Sequence, residues 1–359
     1  MKRWLKYGIA AAVVVLGMTI GCADKTPLPT DLPEPIYGGI DTSYIVINPI
    51  WTEINGRALN RPNDVYIGYD QQIYICDTYN DRVLKLEIDG TFIEEYPVVH
   101  PVAISQDRGL DLLVVCGDYS RTEQVDGQDS VIWYGDSVFR KRYLGNEPFT
   151  RVFQAPYPYI IINDRPVHAE YWSVAAANST LKNYYLTDFW VGRVLGFNAF
   201  DFPTEEFLSE GIGLGKTRFP LDLYTYQIAG QNYIALAQGA GNVGVQIFSL
   251  PNWVSPYVDG DTLPPMITFQ ARAYKDIAVD DLSNFYLLLD APDPLLGAHY
   301  YFYKFDRRGE TMLAFGAAGS GEKQFLSPQG ICHFDGILYI ADSGNNRIVR
   351  YQLTTEARQ

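Results

Sequence analysis

Short apolar runs recur along the chain, broken at close intervals by Gly, Pro, Asn and Asp: IYIC at 73–76, LLVVC at 112–116, YLLL at 286–289 and LYIA at 338–341. Runs this short, rich in β-branched and aromatic residues and bounded by turn formers, predict strands and not helices. Three of them are followed by the same polar sentence. CDTYNDRVLKL at 76–86, TDFWVGRVLGF at 187–197 and ADSGNNRIVRY at 341–351 each place Asp, four residues, Arg and then a β-branched residue. The spacing predicts a strand, a tight turn and a second strand. An Asp that accepts backbone donors, with an Arg placed on a carboxylate or carbonyl, would lock that turn. The marker residues are Asp77, Arg82, Asp188, Arg193, Asp342 and Arg347.

A second element lies upstream of the markers, LNRPNDVYIGYDQQIYICD at 59–77 and FLSPQGICHFDGILYIAD at 325–342, with weaker copies at 101–117, 219–238 and 276–290. Measured at the end of the second strand, the markers are Asp77, Gly117, Asp188, Gln238, Asp290 and Asp342. The last three intervals are 50, 52 and 52 residues, and the 71 residues from Gly117 to Asp188 imply a long excursion. Six markers predict six blades, or seven if the excursion hides another. Self-similarity at this period, without helical segments, predicts an all-β propeller.

These segments resemble the NHL-repeat family of β-propellers, most closely over 309–352 and 59–93. The resemblance implies architecture more than activity, because that family spans protein-, nucleic-acid- and ligand-binding members and related lyases and lactonase-like enzymes. The last copy ends with its third strand near Leu353. YIVI at 44–47 has strand composition without a marker of its own, so residues 42–55 are expected to supply the outer strand of the last blade and remove its free edge.

The front of the chain departs from this pattern. Lys2, Arg3 and Lys6 precede an apolar stretch over 8–18, too short for a confident membrane span but suited to a signal peptide. Gly21-Cys22 resembles the end of a bacterial lipoprotein leader, although Thr19 stands where Leu is usual. Pro27, Pro29, Pro33 and Pro35 follow, as in an extended tether. The expected organisation is a signal peptide at 1–21, a lipid-attachment Cys22 with its tether at 22–37, and one propeller domain at 38–359. The expected location is the envelope of a bacterium, on the outer membrane.

Composition narrows the partners. The formal charge is −14, or −17 without the three leader cations, which argues against nucleic acid. Cys76, Cys116 and Cys332 sit in apolar runs, where thiols act as small hydrophobes. The string GIGLGKT at 211–217 has three residues between its first Gly and its Gly-Lys pair, where a phosphate loop needs four. It aligns instead with the loop at 319–325, placing Phe219 on Phe325 between sheets.

His100, His168, His299 and His333 are the whole histidine supply, and none has compact zinc-ligand spacing. Channel carboxylates such as Asp64 or Asp276 are the alternative metal ligands. The excursion at 119–165, with Glu123, Asp126 and Asp129, reads as a solvated loop or a partner-selecting rim, and FRKRY at 139–143 as a strand bearing surface charges. Of the aromatic residues around the third blade, Tyr157, Tyr159, Tyr171, Trp172, Tyr184 and Tyr185, most should pack between sheets.

The expected function is non-catalytic binding or scaffolding at the envelope, with a protein or peptide recognised by propeller loops, carbohydrate as a further possibility, and membrane contact through the anchor. No catalytic residue or cofactor is assigned. The competing class is a hydrolase or lyase with a metal in the central channel.

Overall fold

The computed structural model describes residues 42–125, 128–155, 160–162, 165–167, 169–213, 215–240, 244–253, 274–289, 301–307, 309 and 311–355. The leader, Cys22, the tether, His168, His299, Tyr157, Tyr159, Asp126 and Asp290 lie outside them. Among the described residues no helix is long and apolar enough to cross a membrane. The folded body is Ser43–Thr354.

That body is a six-bladed β-propeller. The innermost strands are Pro62–Ile67, Pro101–Gln106, Tyr171–Ala176, Pro220–Ile228, Tyr274–Val279 and Gly330–Phe334. Each adjoins the next, and the sixth adjoins the first. Every blade then runs outward as an antiparallel meander, for example Ile73–Asp77, Arg82–Leu86 and Phe92–Pro97 in blade 1. Blade 4 has three strands among the described residues.

The apolar runs are explained by position. A second strand is covered on both sides by neighbouring blades, so alternate side chains enter different cores. Ile73 and Ile75 pack toward Tyr339 and Ile348 of blade 6, whereas Tyr74 and Cys76 pack toward Val114 and Cys116 of blade 2. Six such clusters, one between each pair of neighbours, constitute the core. Cys76, Cys116 and Cys332 are buried free thiols, and burial raises the pKa of each, Cys332 to about 12.

The N-terminal strand closes the ring. Thr42–Trp51 is the outer strand of blade 6, beside Arg347–Thr355. Tyr44 fills the core between blades 5 and 6, and Trp51 that between blades 6 and 1. Arg350 lies over the Trp51 ring at 4.0 Å.

The marker turns are salt-bridged: Arg82–Asp77 at 2.7 Å, Arg193–Asp188 at 3.0 Å and Arg347–Asp342 at 2.8 Å. Each Asp also accepts a backbone N–H from the segment leading into its blade: Asn60 and Leu326 at 2.8 Å, Glu170 at 3.4 Å. The turn therefore holds the approach to the channel as well as itself.

The long interval hides no seventh blade. A hairpin, Tyr119–Val125 with Gln128–Tyr134, is inserted between the second and third strands of blade 2, and Ser137–Lys141 and Thr150–Gln154 complete that blade. Within FRKRY, Arg140 is not a surface charge. It is 1% exposed and bonds Asp107 and Asp201, with Asp111 at 3.5 Å, because those acids arrive from the neighbouring turn and from blade 3.

The glycine-rich string at 211–217 is a blade connection, as its counterpart is, but two residues out of the expected register. Ser209 and Glu210 pair in parallel with Lys216 and Thr217, as Ala317 and Ala318 do with Gln324 and Phe325. Thr217 thus takes the place of Phe325. Phe219 matches Ser327, each at positive φ directly before a proline, so Phe219 emerges at the surface instead of packing between sheets.

Candidate functional site

The innermost strands begin on one face of the propeller, here the leading face, and run along the channel to hairpins on the opposite face. The channel-facing edge of such a strand has N–H groups that no further strand can take. Pairing with the second strands makes Asp64, Ala103, Ser173, Asp222, Asp276 and Gly330 equivalent around the channel.

Four of the six reach forward to the next blade. Asp64 accepts the Ile104 N–H at 2.8 Å, Ser173 that of Leu223 at 3.2 Å, Asp222 that of Ile277 at 3.0 Å and Asp276 that of Ile331 at 2.6 Å. The Ser173 hydroxyl also donates to Asp222. At Gly330 the strands come too close for a side chain, since a Cβ would lie 2.8 Å from the Asn63 carbonyl oxygen. The carboxylates are inter-blade struts.

Their chemistry is set by burial. Burial raises Asp64 to about 7, against the lowering effect of the Ile104 N–H. Burial and the neighbouring Asp222 charge push Asp276 well above the usual carboxylate range, so Asp276 keeps its proton and bonds Asp222. These acids stand at one end of a cavity of about 850 Å³ that continues past Tyr66 and Tyr224 to Asp281 and Asp335 at the far turns. His333 lines the far half, stacked on Tyr286 at 5.0 Å, and burial lowers its pKa toward the neutral imidazole. His100 lies outside the channel, edge-on to Tyr79 at 5.5 Å. The two described histidines therefore do not converge, and no three His, Cys, Asp or Glu among the described residues are arranged to hold a metal ion.

The leading face holds a second feature. Trp172 and Phe189 stack at 4.8 Å, Trp190 meets Phe189 edge-on at 4.8 Å, and Phe219 lies 5.1 Å from Phe189 and 5.8 Å from Trp190. Trp190 is 53% exposed and the other three are half-buried. Lys275 lies over Trp172 at 4.5 Å and Arg218 over Phe219 at 5.7 Å.

Comparison within the repeat isolates this patch. Where blade 3 has Trp172, Phe189 and Trp190, blade 1 has Asn63, Thr78 and Tyr79 and blade 6 has Gln329, Ser343 and Gly344; Phe219, leading into blade 4, matches Arg61 and Ser327. Tyr79, like Trp190, is an exposed aromatic, but the polar residues at the other two blade 1 positions hold the frame. Asn63 donates to the Val102 carbonyl at 2.7 Å and Thr78 to that of Pro101 at 2.7 Å. Phe219 also holds φ +54°, an uncommon backbone for a bulky side chain. Blade 3 has replaced frame bonds with surface aromatics.

Residues 325–351 match the NHL repeat. A comparison with curated protein sequences finds no match. Among solved structures, the fold is similar to a Bacteroides thetaiotaomicron protein of unknown function, 15% identical with a TM-score of 0.50, over 87% of this chain and 76% of that one. It is also similar to a gluconolactonase from Xanthomonas campestris, 10% identical with a TM-score of 0.51, over 82% of this chain and 86% of that one. The PQQ-bound aldose sugar dehydrogenase from Streptomyces coelicolor is 10% identical with a TM-score of 0.52, over 88% of this chain and 99% of that one. At these identities the likeness is one of fold. The chain is a six-bladed β-propeller whose last blade carries an NHL repeat.

Proposed function

We propose that the chain is an exported, lipid-anchored binding protein of a bacterial envelope, which docks an envelope protein or peptide on its leading face. The observation that carries this reading is the replacement of the polar frame residues at two positions by Trp172 and Phe189, which cluster with Trp190 and Phe219 at the surface. Clustered aromatics with flanking cations are the composition of interface hot spots. A membrane anchor at Cys22 with a Pro-rich tether would hold that face near its partner.

A photo-crosslinking residue at Trp190, introduced into the full chain in cells, tests the idea. A discrete adduct with one envelope protein is expected there, and none from Leu144, which is 96% exposed and remote in sequence. Equal labelling from both positions, or none at Trp190, would sink it.

The second reading, a hydrolase or lyase acting in the channel, is favoured by the proton-sharing Asp222 and Asp276, since perturbed carboxyls mark functional sites. Their engagement by Ile277 and Ile331 weighs against it, because each strut oxygen is already committed to a backbone donor.

A further inference from the structure

We propose that the cleft between blades 1 and 2 binds a small polyhydroxylated carboxylate, of the uronate or sugar-acid class. The cleft is separate from both the channel ring and the leading-face patch, and the inference stands apart from the docking proposal. Its volume is about 350 Å³, the size of a single six-carbon ligand. Tyr74, Lys85 and Tyr96 line it from blade 1, and Lys141 and Arg142 from blade 2, with Glu94 at its side.

Of the two ammonium groups in this cleft, Lys85 has one long ion pair and Lys141 has none with a described carboxylate. The Lys85 side chain is 16% exposed, yet its nearest carboxylate oxygen, on Asp70, is 3.8 Å away and already accepts the Tyr74 hydroxyl at 2.7 Å. Lys141 donates to the Gly145 and Glu147 carbonyls at 3.4 and 3.1 Å, and forms no ion pair with a described carboxylate. Each lies over a tyrosine ring, Lys85 at 5.7 Å from the Tyr74 centroid and Lys141 at 5.1 Å from that of Tyr96. Arg142 is half-exposed and bonded to Asp111 at 3.0 Å.

A half-buried cation without a carboxylate partner, as at Lys141, gains from an anion placed beside it. The lining carries Lys85, Lys141 and Arg142 beside Glu94; Asp70 and Asp111 pair Lys85 and Arg142, which leaves Lys141 for an incoming anion. Glu94 is exposed and accepts the Tyr96 hydroxyl. It and Asn146 offer partners for ligand hydroxyls, which an apolar acid would leave unmatched. Tyr74 and Tyr96 are buried beneath the lysines, so the lining ring open to a sugar is that of Tyr143, 53% exposed.

Titration calorimetry of the full-length protein with glucuronate, galacturonate and gluconate, against glucose as the neutral control, is the test. At least one of the acids should bind saturably, and glucose at least about tenfold more weakly. Lys141→Met should weaken acid binding about tenfold, and Lys141→Arg should retain it; Lys85→Met is a second charge-deleting variant should the first not fold. Glucose binding as well as the acids, acid binding unchanged in the folded methionine variant, or no saturable binding of any acid would each overturn the assignment.

Discussion

Removing the Asp342 carboxylate should destabilise the propeller by about 3 kcal/mol, at the lower end of the range for breaking a buried ion pair. Asp342 is fully buried and accepts three bonds at 2.8 Å, from the Leu326 N–H, the Asn345 amide and the Arg347 guanidinium. In Asp342→Ala all three donors lose that acceptor, and Arg347, 7% exposed at its side chain, loses its counter-charge. The Ser320, Gly321 and Gln324 carbonyls still hold the guanidinium at 2.7–2.9 Å, which keeps the loss from being larger. Asp188→Ala should lose less, about 1–2 kcal/mol, because Arg193 is 22% exposed and the second donor to Asp188, the Glu170 N–H, lies at 3.4 Å. For a body of roughly 310 residues, 3 kcal/mol corresponds to a fall of about 5 °C in melting temperature. Calorimetric melting and urea midpoints of the two variants beside the parent would measure both losses. A loss below about 1 kcal/mol for Asp342→Ala, or an equal loss for Asp188→Ala, would refute the view that these turns lock the blades.

Arg140→Met should lose about 3–5 kcal/mol in the same assay, since it leaves Asp107, Asp111 and Asp201 gathered without the cation between them. Gly330→Ala should destabilise by about 1–3 kcal/mol, because its Cβ would press on the Asn63 carbonyl; an unchanged urea midpoint would contradict that close approach. Asp64 binds its proton more tightly folded, near pH 7, than unfolded, near 4. The stability this linkage contributes is therefore full below about pH 4 and is lost as pH rises through 7. Asp64→Asn should accordingly gain stability relative to the parent between pH 5 and pH 8, and a gap that stays constant or moves the other way in urea titrations would oppose this assignment. Intact-mass analysis of protein purified from its bacterial host should show a diacylglycerol-sized increment that Cys22→Ser abolishes; the same modification in that variant would reject the anchor.

The repeat was legible wherever local chemistry defines it. The Asp–Arg turns need only six adjacent residues, and the closing strand only an unclaimed apolar run at the front. Elements assembled across the chain were harder to read. Asp64, Asp222 and Asp276 are equivalent in space, but the residues in the place of Asp77 in the other two blades are Gln238 and Leu289, so no repeated Asp–Arg marker reveals the ring. Arg140 looked like a surface charge because its partners Asp107 and Asp201 lie 33 and 61 residues away. Blade 2 was obscured by Cys116, which pairs with Pro101 where blades 1 and 3 have the marker Asp, and by an inserted hairpin. The aromatic patch did leave a trace: TDFWVGR set against CDTYNDR and ADSGNNR already shows Phe and Trp where the other copies have Thr-Tyr and Ser-Gly.

The central claim is that the leading face docks a partner through its aromatic cluster. Its most direct measurement is the affinity of the protein crosslinked at position 190 for the parent chain and for Trp190→Ala, with melting temperatures measured alongside. A hot-spot tryptophan predicts a loss of about 2 kcal/mol, roughly 30-fold in Kd, with the melting temperature unchanged. An affinity within about threefold of the parent would contradict it.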